Sequence, residues 1–296
     1  MEVKKMPDKL LDLKNDLVFQ RLFGNPKNKE VTSHLLSLIL KREINNVDLD
    51  ANKIFLGVNE NSKTGRLDVR AKFNNGEDCN IEMQVNPFKC MESRMLEYWA
   101  NMYSSKIHRG EEYKVLKPSI SILVANYMTG KSKGISHYHS KWNLREEKHK
   151  DLKLTNDIEF HILELPKVKN ANLENDELAQ WLRFIANPED EEVRRIMCEN
   201  KFYKQAREEL AYLSGEENFK RLVESRAGFL MDQATEKEIS REEGLAEGIA
   251  EGIAEGISRG ISSEKKEIAK KLKAKNFPIE EIAELTGLSK EEIETL

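Results

Sequence analysis

Three residues stand where chemistry is possible: Asp68, Glu82 and Gln84, within RLDVRAKFNNGEDCNIEMQV, residues 66 to 85. Apolar and polar side chains alternate through this stretch in one phase. Leu67, Val69, Ala71 and Phe73, then Cys79, Ile81, Met83 and Val85, all fall on odd numbers; Arg66, Asp68, Arg70, Lys72, Asn80, Glu82 and Gln84 fall on even ones. Period-two alternation predicts two half-buried strands, each with one face on the core. The turn lies in Asn74 to Asp78. A two-residue Asn-Gly turn would pair odd with even positions and turn one apolar face to solvent, so the loop must hold three or five residues. In that register Asp68 and Glu82 share the polar face as direct or diagonal neighbours, roughly 5 to 8 Å apart between backbones.

Two carboxylates at that spacing can converge on one hard cation. Magnesium takes oxygen ligands, usually one or two carboxylates with waters and substrate phosphate, and it activates water while offsetting charge on phosphodiester oxygens. Asp68 and Glu82 would be the ligands, the Met83 carbonyl a third, and Gln84 would orient the attacking water or a phosphate oxygen. Spacing alone describes the solvated polar face of an ordinary hairpin more readily than a metal site.

The order Asp68, hairpin, Glu82-Met83-Gln84 resembles the D…ExQ variant of the PD-(D/E)XK nuclease motif. The flanks sharpen the likeness: Asp16 to Gly24, DLVFQRLFG, then IEMQV, then a helix with Arg94, Tyr98 and Tyr103 ending in Gly110-Glu-Glu-Tyr113. This set is similar to the Rpn family of recombination-promoting nucleases, also described as PD-(D/E)XK nuclease family transposases. The resemblance covers about residues 8 to 170. It implies an α/β fold, a mixed central sheet flanked by helices in the restriction-endonuclease manner, and an Mg2+- or Mn2+-dependent endonuclease acting on double-stranded DNA. It matches Asp68 and Glu82 to metal ligands, Gln84 to the motif lysine, and Asp16 to a supporting acid on the first helix. A neutral amide cannot supply the lysine's charge, so catalysis would be weak or would draw on Arg70, Lys72 or Lys89. A non-catalytic DNA-binding or regulatory protein on the same scaffold is the alternative.

The chain of 296 residues is long enough for one sizeable core and a smaller module. Net charge is −4, so nucleic acid must be met by a local basic patch. Three cysteines without CxxC spacing fit a reducing cytoplasm. Neither a signal peptide nor a membrane-crossing run is expected.

The positioning elements follow from periodicity. Helices are expected over residues 8 to 23, carrying Asp16 either as an exposed acid or as a contact behind the metal ligands, and over Glu30 to Lys41. Ile54, Leu56 and Val58 suggest a strand, with Glu60 and Asn61 at its end. A helix over Lys89 to Arg109 has a stripe of Met91, Met95, Leu96, Trp99, Met102 and Tyr103, leaving Arg94 and Lys106 for phosphates or for solvent. Ile120 to Tyr127 reads as a buried strand partnered by Ile158 to Leu165. Between them, His137, His139 and His149 read as surface histidines more readily than as zinc ligands. Lys131, Lys133, Lys141 and Lys148, with Tyr138 and Trp142, suit either a DNA-clamping loop or a plain surface loop.

Pro166 to Asn175 is a linker by composition, and the rest reads as helical: a region at 171–243, a stem at 244–263 and a helix-turn-helix-like module at 264–296, after the nuclease-like domain at 8–170. The stem, GLAEGIAEGIAEGISRGI, repeats Gly, Glu and Leu or Ile every four residues. Four overshoots the 3.6-residue turn, so the apolar stripe winds, and each Gly costs about 0.5–1 kcal/mol of helix stability. A partner helix would compensate, which makes this a dimerisation stem or else a flexible linker. The last module opens its final helix with a Ser289–Glu292 capping box. Glu291, Glu292 and Glu294 there favour a protein-protein module over a DNA reader.

Overall fold

The computed structural model describes residue 7 and residues 9–49, 69–130 and 134–296. Within them the chain divides into two compact units between Ala227 and Gly228. Asp68, the expected strand at Ile54 to Val58, Glu60, Asn61, Lys131 and Lys133 lie outside the described residues.

In the first unit, α1 (Asp16–Phe23) and α2 (Lys29–Leu40) precede β1 (Val47–Leu49), β2 (Val69–Phe73) and β3 (Asp78–Gln84). Then come α3 (Met91–Ser104), β4 (Ser119–Ala125), β5 (His139–Trp142) and β6 (Ile158–Glu164). The helix expected from residue 8 starts at Asp16, because the Asn15 side chain caps it by accepting from the Leu17 and Val18 amides. The described strands form one mixed sheet in the order β1-β2-β3-β4-β6-β5. β3, β4 and β6 run parallel; the other pairings are antiparallel.

The β2–β3 hairpin keeps odd opposite odd, with Val69 facing Ile81 and Ala71 facing Cys79. Its loop is Asn74-Asn75-Gly76: the Phe73 amide donates to the Glu77 carbonyl at 2.9 Å, and Gly76 has φ +84°. A left-handed residue closing a three-residue loop is why glycine stands there. β2 is half-buried as its alternation predicts, but β3 is buried on both faces. It lies between β2 and β4, and α3 covers its even face.

The odd face, Cys79, Ile81 and Met83 with Ile120, Ile122 and Val124, joins the main core with α1 and α2. The same core takes Val168 of α4 (Leu165–Val168) and Leu173, so the expected linker is packed structure. It also takes Trp181 and Phe184 of α5 (Glu177–Ala186), Val193 of α6 (Glu191–Ile196) and Leu210 of α7 (Lys201–Gly215). On the other face Met91 and Met95 of α3 pack on Leu123, Ala125 and Ile162. The buried stripe of α3 is Met91, Met95, Tyr98 and Met102; Leu96, expected on it, is half exposed. β5, which follows β4 in the chain and pairs with β6 at the sheet edge, is masked in the sequence by its polar residues, His139-Ser-Lys-Trp142.

α8 (Glu217–Ala274) includes the four-residue repeat as continuous helix. In the second unit its Ala269 packs with Ile282 of α9 (Ile279–Thr286) and Ile293 of α10 (Lys290–Glu294). The Ser289–Glu292 capping box is formed. No described helix is long and apolar enough to cross a membrane.

Candidate active site

The even face of β3 carries Asn80, Glu82 and Gln84. Asn80 is 3% and Glu82 5% exposed. Leaving a carboxylate that dry without a counter-charge is costly, and α3 provides the counter-charge. Arg94 places a guanidinium nitrogen 2.5 Å from Glu82 Oε1. The same guanidinium donates through Nε to the Tyr98 hydroxyl at 2.5 Å and lies 5.4 Å from the Phe88 ring centre and 5.3 Å from that of Tyr98. Two rings and a carboxylate thus hold it in one orientation.

Arg94, expected to face phosphates or solvent, turns inward to Glu82. The signal was present: it lies three residues after Met91 and four before Tyr98, on the edge of the buried stripe, where a long side chain reaches the sheet. Lys106 also turns inward. Its ammonium meets Asp78 at 3.1 Å, the carbonyls of Lys117 and Pro118 at 3.0 Å and Ser119 Oγ at 2.9 Å.

Across the hairpin Arg70 faces Asn80, and Lys72 faces Asp78. Both cations are exposed on the Glu82 face, and Lys89 is exposed as well. Gln84 is half-buried; its amide donates to the Asn86 carbonyl at 3.1 Å. Hydrogen-bonded pairing at Phe73–Glu77 alternates down an antiparallel ladder, so the odd residues of β3 turn their carbonyls toward β2. Met83 is one of them. Asp68 adjoins Val69 in the chain, and Val69 stands opposite Ile81, the residue before Glu82. Asp16, at the start of α1, has its carboxylate bound by Arg226 of α8 at 2.8 and 3.2 Å.

Burial, with the carboxylates of Glu82 and Glu92 nearby, pushes the Tyr127 phenol above its ordinary value. A cavity of about 220 Å3 opens beside this cluster, lined in part by Phe88, Met91, Leu123, Tyr127 and Ile162.

The loop expected to clamp DNA is tied into the fold where it is described. Tyr138 donates to Asp176 at 2.6 Å and Lys141 pairs with Glu159 at 2.7 Å. His139 is not a surface histidine. It bonds His161 at 2.7 Å, and His161 bonds Glu159 at 2.7 Å. Burial and the neighbouring cations bring His139 down to about 4. Burial opposes ionisation of Glu159, but hydrogen bonds from His161 and Lys141 outweigh it and hold the carboxyl at about 2. Among the described residues no group of three His, Cys, Asp or Glu side chains is placed to hold a metal. The oxygen donors Glu82 and the Met83 carbonyl suit a hard divalent cation, the kind of ion this chemistry takes.

Comparison with curated proteins and with solved structures returns no match. A family pattern does match: residues 13–240, well over half the chain and spanning the hairpin, Arg94 and the helices that complete the core, show that it belongs to the PD-(D/E)XK nuclease family transposases.

Proposed function

We propose that this protein is a metal-dependent endonuclease that hydrolyses phosphodiester bonds in double-stranded DNA and serves recombination or transposition in the cytoplasm. Family membership supports a nuclease or transposase-associated role, and nucleases of this family generally use divalent metals. The observation that carries the finer reading is the buried, arginine-paired carboxylate of Glu82 on the hairpin's even face. Asp68, Glu82 and the Met83 carbonyl would hold Mg2+ or Mn2+, which would supply an activated water and offset phosphate charge. Gln84 orients the attacking water. Asp16 supports the site from α1 through its pair with Arg226. Arg70 and Lys72, exposed on the same face, draw in the phosphate backbone. Arg94 provides the fixed positive charge that Gln84, in the lysine position, lacks. Two copies assemble through the C-terminal helices.

The Gln84 amide, engaged by its own backbone at Asn86, favours one second reading: a DNA-binding regulator with little turnover. Plasmid cleavage by wild type, Asp68→Ala and Glu82→Ala, with magnesium and with chelator, separates them. Magnesium-dependent cutting by wild type alone is expected. Cutting by both variants refutes the site, and DNA binding without cutting by any of them establishes the regulator.

A further inference from the structure

Leu245, Ile249, Ile253, Ile257 and Ile261 are 64, 54, 59, 59 and 51% exposed, an unbroken series of large aliphatic side chains turned to solvent on one helix. Each four-residue step advances about 40° around an α-helix, so the five sweep about 160°. Ala246, Ala250 and Ala254 fall within or at the edge of that half, and Glu247, Glu251 and Glu255 fall in the other. Contiguous apolar surface of this kind marks an interface, and Gly256 and Gly260, which fall within the same half, let a second backbone come close there.

The charges select the occupant and its direction. Residues 236–258 hold seven glutamates against Lys237 and Arg241, a net −5; residues 259–275 hold seven lysines and arginines against Glu264 and Glu267, a net +5. A second copy laid parallel would set acidic half on acidic half. Laid antiparallel about a two-fold axis at Ile253, which matches Leu245 with Ile261 and Ile249 with Ile257, the acidic residues 236–247 meet the basic residues 259–270. We propose that this helix is the self-association surface of the protein and that two copies pair through it antiparallel, about an axis near Ile253. This deepens the assembly part of the function proposed above and is independent of its catalytic part. Because the stripe repeats every four residues, longer than the 3.6-residue turn, the pair crosses with a right-handed twist.

Disulfide trapping in the full-length chain tests this, with exposed Cys90 and Cys198 replaced by Ser and buried Cys79 kept. In the antiparallel pair the two copies of position 245 are about 24 Å apart along the helix, too far to bridge. Chains bearing Leu245→Cys mixed with chains bearing Ile261→Cys should cross-link, and neither should do so alone. Cross-linking of Leu245→Cys by itself overturns the orientation while assembly stands. A monomer in sedimentation equilibrium overturns orientation and assembly together, leaving the nuclease reading untouched. Ile253→Glu should weaken dimerisation at least 100-fold with helix content by circular dichroism unchanged, since the side chain is exposed within a single copy; undiminished dimerisation refutes the surface.

Discussion

Replacing Arg94 by methionine would keep the apolar stem of the side chain beside Phe88 and Tyr98 and remove the charge that meets Glu82. Removing one partner of a buried ion pair costs about 3–5 kcal/mol, because the other charge is left dry. Glu82 is buried here, but the Arg94 side chain is 26% exposed. Water then screens the stranded carboxylate in part, which brings the expected loss to about 2 kcal/mol. In a unit of this size each kcal/mol moves the melting temperature by about 2–4 °C, so Arg94→Met should melt about 4–8 °C lower. Fluorescence reads the right unit, because Trp99, Trp142 and Trp181, the three tryptophans, all precede Ala227. Glu82→Gln in the Arg94→Met background removes the stranded charge. The double variant should therefore lose less than the sum of the singles, with a coupling of about 1–2 kcal/mol. Millimolar magnesium should raise the melting temperature of Arg94→Met more than that of wild type, because Glu82 then lacks its guanidinium. Additivity within about 0.5 kcal/mol, with no magnesium effect on either protein, refutes the inference that Glu82 is a buried anion kept by its counter-charge.

Two further perturbations test the surroundings. His139 titrates at about 4 in the fold and near 6.5 when unfolded, so the unfolded chain binds the extra proton between those values. Stability should fall as pH drops from 6.5 toward 4, by about 2 kcal/mol after allowance for partial exposure. Urea unfolding at pH 7 and pH 5 reads this, and His139→Gln should flatten the difference; His161, Lys141, Lys41 and His137 are the groups whose charge acts on it. Lys106→Met should cost about 2 kcal/mol, since it strips a charged donor from a carboxylate and three other oxygens. It should leave the salt dependence of DNA affinity unchanged; a slope reduced by about one would return Lys106 to phosphate binding.

The hairpin, its odd-numbered loop and its register were legible because alternation is a local signal and odd must face odd. β4 was legible from its short apolar run and β6 as its partner, and the capping box from four residues. What stayed hidden was non-local. The burial of β3's even face comes from α3 and from insertion between β2 and β4, neither of which leaves a mark on residues 78–84 beyond their polarity. β5 is stabilised by pairing with β6 rather than by its own propensity, so His139-Ser-Lys-Trp142 read as loop. The inward turns of Arg94 and Lys106 depend on carboxylates in another strand, which helix periodicity cannot see. Of the candidate site, the types and order of residues were readable; the partner that meets Glu82 was not.

That partner also bears on the two readings the sequence leaves open for the hairpin's polar face. An ordinary solvated hairpin would leave Glu82 in water with nothing to compensate. Here the carboxylate is buried beside Leu123, with Ala125 and Ile162 in the same layer and buried Asn80 and Ser121 next along it. Apolar residues of similar volume at such a position are often neutral or stabilising relative to an ion pair, so packing does not account for a glutamate and an arginine there. Arg94 is itself held by two rings and the Tyr98 hydroxyl, a degree of orientation that stabilising Glu82 alone does not need. A buried glutamate and an oriented arginine, side by side under a helix with the exposed Arg70 and Lys72 on the same face, are what the proposed chemistry on a charged substrate requires.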